Sequence, residues 1–206
     1  MRSSVPASPD IRERLRAATR EAHERLHGHE GFALVASGEI GLTLYGSLLR
    51  RLWGFHSAFE ARMAEAARAF GIAPDLARRA RTAMLARDLA ALGLDGQAIA
   101  DLPTCADIAR PAGGGEALGA LYVVEGSTLG GLRLARALQP LMAAQGLEAR
   151  RFFLGYGEAH GAMWRGFLGQ LEARASGPGE AGAILRGAAR AFNDFELWMT
   201  DWRPKA

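Results

Sequence analysis

The sequence contains only one cysteine, Cys105, and only one lysine, Lys205, among its 206 residues. A single cysteine excludes an internal disulfide and any zinc site built from several thiolates, and it is typical of a reducing compartment. No stretch approaches the ~20 consecutive apolar residues of a membrane-spanning helix, and the N-terminus lacks the apolar core of a signal peptide. We therefore expect a cytoplasmic protein with no membrane association.

The sequence also has little of the pattern that β-strands require. Alternation of apolar and polar residues with β-branched enrichment never persists beyond a few residues, which argues against a sheet. Hydrophobic residues make up 49% and charged residues 23% of the chain, as in an ordinary globular domain. We predict one all-α domain over residues 1–206, with residues 1–7 disordered.

The positive charge does not form the pattern of a nucleic-acid-binding surface. Net charge is +3, and all basic residues except Lys205 are arginine or histidine. The arginines alternate with acids along residues 11–25, IRERLRAATREAHER, as on a solvated helix face. We predict no nucleic-acid partner, although a few arginines remain available to bind an anionic ligand.

Six helices are predicted from the apolar spacing and from residues typical of helix ends. Ser8, Pro9 and Asp10 supply an N-cap, a proline at the first helical position and an acid in the first turn, so the first helix should run from there to about His27. The others should cover residues 43–70, 74–92, 115–145, 158–175 and 180–198. Residues 28–41 and 94–111 should be loops with at most one helical turn each, the second near 104–110.

Residues 118–132, LGALYVVEGSTLGGL, place three glycines, Gly126, Gly130 and Gly131, inside an apolar helical pattern. Each costs about 1 kcal/mol relative to alanine in a helix interior, so we expect the helix to be kinked or interrupted here. Gly126 and Gly130 are four residues apart and share one helix face. Either a flat ligand lies against that face, or another helix packs there without a ligand.

Other familiar sites are not supported. His23 lies beside the apolar stripe of the first helix, where a histidine commonly just bonds a backbone carbonyl. His56 and His160 have no HExxH or ExxH partners, and paired Glu-x-x-His repeats of a di-iron site are absent. The sequence GSTLGG is neither a GxGxxG nor a Walker motif, and Ser127 lacks a GxSxG context, so nucleotide binding and a serine nucleophile are not predicted.

Two segments resemble the haem oxygenase family. LRAATREAH, residues 15–23, is similar to the family's N-terminal helix, in which the final histidine, here His23, is the proximal iron ligand. LYVVEGSTLGG is similar to the distal helix, with Gly126 and Gly130 at its close-contact glycines. With FFLGYG at residues 152–157, the chain most resembles the bacterial haem oxygenases associated with bacteriophytochromes. The resemblance implies a helical bundle with haem between the first helix and a glycine-kinked distal helix.

The resemblance also implies the other haem-binding residues. Arg16 and Arg165 fall at basic positions near the haem propionates, and Phe192 falls where the family has an aromatic residue near the porphyrin. Thr19 belongs to the same motif as His23 and is predicted to contact the haem.

Catalytic roles are implied for Gly126, Ser127 and Gly130 on the distal side. Many family members carry an aspartate where this chain has Ser127. A hydroxyl can donate and accept hydrogen bonds but cannot hold a charge, so it would position water with less electrostatic ordering.

The implied function is oxidative cleavage of haem b, both substrate and cofactor, at a meso carbon into biliverdin, carbon monoxide and iron. The reaction would use O2 and electrons from a donor such as ferredoxin, flavodoxin or a reductase, with a bacteriophytochrome as a downstream partner. Two alternatives stay open: a non-catalytic haem carrier or sensor on the same fold, and a cofactor-free helical domain of the thiaminase-like kind.

Overall fold

The computed structural model describes residues 10–72, 75–200 and 202. They form eleven α-helices and contain no β-strand, so the all-α prediction is confirmed. The helices are α1 (Ile11–His27), α2 (Glu30–Ser37), α3 (Leu42–Phe70), α4 (Leu76–Arg79), α5 (Thr82–Ala91), α6 (Gly96–Ala100), α7 (Gly114–Ala137), α8 (Gln139–Gln145), α9 (Arg151–Leu154), α10 (His160–Ala175) and α11 (Glu180–Thr200). Within the described ranges, no helix combines the length and apolar character needed to cross a bilayer.

The first helix ends where the sequence predicts, but its cap differs from the prediction. Asp10 is the N-cap of α1, because its carboxylate accepts the backbone N–H of Arg12. It was expected inside the helix, as an acid of the first turn two residues after the N-cap. The predicted roles of Ser8 and Pro9, and the predicted disorder of residues 1–7, lie outside the described residues.

Two short helices, α2 and α6, occupy segments that were expected to be loops. Each begins at a side-chain cap: the N–H of Gly31 donates to Nδ1 of His29 at 3.2 Å, and the N–H of Ala98 donates to Asp95 at 2.8 Å. α2 ends at Gly38, whose φ of 76° is the left-handed conformation that favours glycine. The predicted turn near 104–110 is therefore wrong, since the helical turn lies at Gly96–Ala100.

The predicted third helix is divided into α4 and α5. Ala80 has extended backbone angles, which end α4. The next two backbone N–H groups, of Arg81 and Thr82, both donate to the carboxylate of Glu60 on α3. Because Glu60 satisfies these otherwise unpaired donors, the break is stable within a segment whose local pattern favours one helix.

The hydrophobic core consists of two clusters of buried side chains. In the first, Leu15 of α1 packs with Phe167 of α10 and Ile184 of α11. The second joins Val35 of α2 with helices α5, α8 and α9, including the fully buried Leu89. Helices α3 and α7 contribute to both clusters, which makes them the central elements of the bundle.

α7 continues as one helix of 24 residues through all three glycines of the GSTLGG segment. The interruption expected at Gly126–Gly131 is therefore wrong; α7 ends at Ala137, and Leu138 is both its C-cap and the N-cap of α8. The reason is tertiary: α7 packs against α3, α9, α10 and α11, and these contacts outweigh the poor helix propensity of glycine.

α7 and α11 meet backbone to backbone. A Cβ at Gly119 would overlap the carbonyl of Ile184, and a Cβ at Gly187 would overlap the carbonyl of Glu116. Gly131 similarly faces the carbonyl of Phe153 in α9. For these three glycines, close helix packing without a ligand is the correct explanation.

The substitution Gly119→Ala should lower the free energy of unfolding by about 1–3 kcal/mol, because the helices must separate to admit the methyl group. Chemical denaturation followed by circular dichroism measures this. Gly169→Ala on α10 is the control, since a Cβ there meets nothing within 4 Å. The control should be neutral or stabilising by up to about 1 kcal/mol. Equal unfolding midpoints for the two variants would contradict the direct backbone contact.

Candidate functional site

A stripe of four glycines runs along one side of α7: Gly115, Gly119, Gly126 and Gly130. Their spacings of four and seven residues keep them on one helix face. The first two face α11, where a Cβ would overlap neighbouring atoms. A Cβ at Gly130 would meet nothing within 4 Å, and one at Gly126 would meet only Trp164, at 3.9 Å. The second half of the stripe is therefore an open stretch of helix backbone, which we call the open glycine face.

Two aromatic side chains border the open glycine face. Tyr122 lies one turn before Gly126, and its ring centroid is 5.7 Å from that of Trp164 on α10. Burial raises the pKa of Tyr122, and the nearby positive charge of Arg16 on α1 partly opposes that shift. Side chains from α1, α7 and α10 thus come together here. The sequence analysis missed both aromatics, although the four-residue spacing from Tyr122 to Gly126 was a usable signal.

His23 is an exposed side chain on α1, one turn after Thr19. Its ring packs edge-on against His27, with centroids 4.5 Å apart. Partial burial, followed by the charge of His27, lowers the pKa of His23. A lowered pKa favours the neutral imidazole, which is the form that binds a metal.

Thr19 and Phe192 are buried, in contrast to His23. The hydroxyl of Thr19 donates to the carbonyl of Leu15 at 2.8 Å, so its proton is used within α1. Phe192 lies one turn before Glu196, which forms an ion pair with Arg25 of α1 at 2.7 Å. By that spacing, Phe192 is on the side of α11 that faces α1.

Arg16 and Arg165 are exposed, and neither forms an ion pair with any residue that the structure describes. Arg165 follows Trp164 on α10, and its guanidinium lies back over Gly161, 3.2 Å from the position of a Cβ there. Both cations are therefore available to an external anion.

Ser127 is exposed beside the open glycine face. Its hydroxyl donates to the carbonyl of Val124 at 2.7 Å. With its proton used inside the helix, Ser127 offers an incoming group only the acceptor side of its oxygen.

A buried polar cluster lies on the flank of α7 next to this face, and the sequence analysis did not anticipate it. Glu125, with 1% of its side chain exposed, forms an ion pair with Arg79, with 6% exposed. The hydroxyl of Tyr156 donates to the same carboxylate at 2.7 Å. The available signal was a carboxylate inside the apolar run LYVVEGS, because a lone buried carboxylate requires a partner.

Arg81 extends this cluster toward α3 and α9. Its guanidinium donates to the carbonyl of Phe152 at 3.2 Å and lies over the rings of Phe152 and Tyr156, 5.2 Å from each centroid. His56 of α3 packs its ring against Phe152 at 5.1 Å. Burial, together with the charge of Arg81, lowers the pKa of His56 to about 3.

The family model described as Heme oxygenase matches residues 10–201. The chain belongs to the haem oxygenase family. No curated protein sequence gives a significant match.

Two solved haem oxygenases are similar to this chain over most of their lengths. The NO- and CO-bound enzyme of Neisseria meningitidis is 25% identical, with 97% of this chain and 96% of that chain covered and a TM-score of 0.69. Haem oxygenase-1 of the cyanobacterium Synechocystis, in complex with haem, is 16% identical, with 94% and 92% covered and a TM-score of 0.70. At that identity the second likeness supports the fold alone. The predicted haem oxygenase-like bundle is confirmed.

The open glycine face fits the ligand expected for a haem oxygenase. A porphyrin can approach a helix backbone closely only where side chains are missing, and Gly126 and Gly130 leave that room. Aromatic rings border the face, and α1 carries an exposed imidazole at His23, whose lowered pKa favours the neutral form. The residues of this family member therefore suit a flat, iron-bearing ligand.

His56 should make the protein acid-sensitive. Its pKa is about 3 in the folded state against an ordinary value of 6.5, so below pH 6.5 the unfolded chain takes up a proton that the folded chain does not. Stability should therefore fall as the pH drops from 6.5 toward 3. Between about pH 6 and pH 4, the free energy of unfolding of wild type should fall more steeply than that of His56→Gln, by about 1.4 kcal/mol per pH unit. Urea denaturation across this range measures the difference, and parallel pH profiles would refute it.

Proposed function

We propose that this chain is a haem oxygenase enzyme that cleaves haem b at a meso carbon to biliverdin, carbon monoxide and iron. Haem is both substrate and cofactor, and the reaction consumes O2 and electrons from an external donor. The observation that carries the proposal is the open glycine face at Gly126 and Gly130, in a chain whose residues 10–201 match the family. The haem-bound Synechocystis relative, which shares the fold, is consistent with haem as the ligand.

His23 is proposed as the iron ligand, in line with its place in the LRAATREAH motif and its lowered pKa. When bound, haem supplies the iron that activates O2 and the porphyrin carbon that is oxidised. A neutral imidazole donates less electron density than a cysteine thiolate, which promotes O–O cleavage in cytochromes P450. His23 therefore suits a reaction in which the porphyrin ring itself is attacked.

Arg16 and Arg165 are proposed to bind the two propionates. Arginine forms paired hydrogen bonds with carboxylates, so two such contacts from α1 and α10 would fix the in-plane rotation of the haem. That rotation decides which meso edge lies under the helix and hence which biliverdin isomer forms. Phe192 and Thr19 are proposed to contact the haem from α11 and α1.

On the distal side, the backbone at Gly126 and Gly130 would restrict the space beside the iron and direct the reacting oxygen toward one meso edge. Ser127 would hold a water molecule by accepting its hydrogen bond, since its own proton is donated to Val124. This is a weaker arrangement than the aspartate of many relatives, because no charge orders the water.

The need for an electron donor follows from the proposed reaction, and the downstream partner is implied by the subgroup resemblance. Ferredoxin, flavodoxin or a reductase would supply electrons in the cytoplasm, and biliverdin would pass to a bacteriophytochrome. The sequence EGSTLGG and the later FFLGYG support membership of the bacteriophytochrome-associated subgroup.

Turnover tests the proposal directly. The protein reconstituted with haemin and given a reductase and ferredoxin, with catalase present to remove free peroxide, should yield biliverdin, carbon monoxide and chelatable iron in equal amounts. Absorption spectra and a myoglobin trap for carbon monoxide measure the products. Bound haem that survives reduction in air would instead identify a carrier or sensor, and failure to bind haem would favour the thiaminase-like alternative.

His23→Ala should abolish the histidine-ligated spectrum of the haem complex, because the iron loses its proposed ligand. His27→Ala is the matched control, since His27 is also exposed and lies one turn further along α1. It should retain a histidine-ligated Soret band. Imidazole added to His23→Ala should restore that band, and an unchanged spectrum in His23→Ala would reject the assignment.

A further inference from the structure

The glycine-bearing end of α7 needs support that its own sequence does not supply. Residues 126–131 include three glycines, yet the helix is continuous through them. The open glycine face has no neighbour at Gly130 that could hold it from that side. Support must therefore come from the other sides of the helix, and from residues next to the glycines.

Glu125 provides such support immediately before Gly126. Its carboxylate binds two groups from outside α7, the guanidinium of Arg79 on α4 and the hydroxyl of Tyr156, the latter at 2.7 Å. Its backbone carbonyl also accepts the hydroxyl of Thr128 at 2.7 Å. One residue thus attaches the start of the glycine segment to two neighbouring parts of the fold.

The partners of Glu125 are themselves fixed. A second nitrogen of Arg79 donates to the carbonyl of Met163 on α10 at 3.1 Å, so Arg79 joins α4, α7 and α10. Tyr156 lies between two glycines with φ of 56°, Gly155 and Gly157, in the turn that links α9 to α10. That left-handed backbone, which favours glycine, sets the direction in which the tyrosine points.

Among the ion pairs that the structure describes, Glu125–Arg79 is the one with both side chains almost fully buried, at 1% and 6% exposed. A buried ion pair is a poor source of net stability, because desolvation offsets the attraction. Its more characteristic effect is to specify one arrangement of the elements that it joins, since a single displaced partner leaves a buried charge unpaired.

We propose that Glu125 is a positioning residue: with Arg79 and Tyr156 it holds α7 helical and in place across Gly126–Gly131, so that the open glycine face keeps a fixed shape. The consequence for haem orientation rests on the proposed function. The role of Glu125 in keeping α7 in place is independent of the proposed function, and it is testable in the haem-free protein.

Hydrogen–deuterium exchange on the haem-free protein tests the proposal. Glu125→Gln and the milder Tyr156→Phe should speed amide exchange in residues 126–137 by about tenfold or more, because this end of α7 then opens locally. Glu116→Gln is the matched control, since Glu116 is a buried carboxylate on the same helix, paired with Arg186 and Arg190. It should leave residues 126–137 unchanged relative to wild type.

Tyr45→Phe is the control for the tyrosine variant, because Tyr45 is buried and its hydroxyl, like that of Tyr156, donates to a protein oxygen, here the carbonyl of Ala149. Unchanged exchange at residues 126–137 in both Glu125→Gln and Tyr156→Phe would overturn the proposal. So would an increase spread equally over all helices and matched by the two controls, because that result indicates general destabilisation.

The haem complexes supply a second readout. Tyr156→Phe should change the biliverdin isomer ratio at least about twofold while the Soret band stays histidine-ligated, because the iron ligand lies on α1. An isomer ratio equal to wild type alongside faster exchange would reject the link to haem orientation. If wild type binds no haem, the proposed function fails, and the exchange experiment still decides the role of Glu125.

Discussion

The direct backbone contact between α7 and α11 is the constraint on which the rest of the structure depends. Gly119 and Gly187 place carbonyl oxygens where side chains would otherwise lie, so the two helices have very little freedom to slide or rotate. Once α7 is fixed, helical spacing alone determines the direction of every later residue. Gly126 and Gly130 lie on the same face of α7 as Gly115 and Gly119. α11 covers that face at Gly115 and Gly119 but not at Gly126 and Gly130. The same stripe thus serves protein packing in its first half and is open for a ligand in its second.

This division explains what the sequence could predict. Four-residue spacing is visible in a sequence, so the shared face of Gly126 and Gly130 was predictable, and it gave two alternatives, a ligand or a helix. The helix alternative is correct for Gly131 and Gly119, which meet backbone, whereas Gly130 meets nothing, so a ligand on its face stays a prediction. Which alternative applies depends on where another helix passes in space, and no local pattern contains that information.

The remaining differences have the same origin. Long helices with a regular apolar stripe, such as α1 and α11, were predicted to within about two residues, the usual uncertainty of helix ends. The division of α4 from α5 was not predictable, because the carboxylate that stabilises it, Glu60, is about twenty residues earlier in the chain. The Arg79–Glu125 pair escaped prediction in the same way, because its partners are 46 positions apart in the chain. Local propensity describes elements well, and long-range polar contacts decide where they break.

The buried carboxylate of Glu125 on α7, which contacts neighbouring parts of the fold, lies on a different side of the helix from the open glycine face. Glu125 is turned to the flank and neutralised by Arg79, and the proton of Ser127 is donated to Val124. The open glycine face therefore presents backbone, the acceptor side of one hydroxyl and the ring of Tyr122, without a carboxylate. In the proposed site, the charge that binds the anionic groups of the ligand would come from other helices, at Arg16 and Arg165. An oxygen-activating site of this kind would control its outcome mainly by shape and by the orientation of the bound ring. The selectivity for one meso carbon would then depend on how rigidly the glycine-containing part of α7 is held. The buried Glu125–Arg79 pair beside Gly126 is proposed to provide that rigidity.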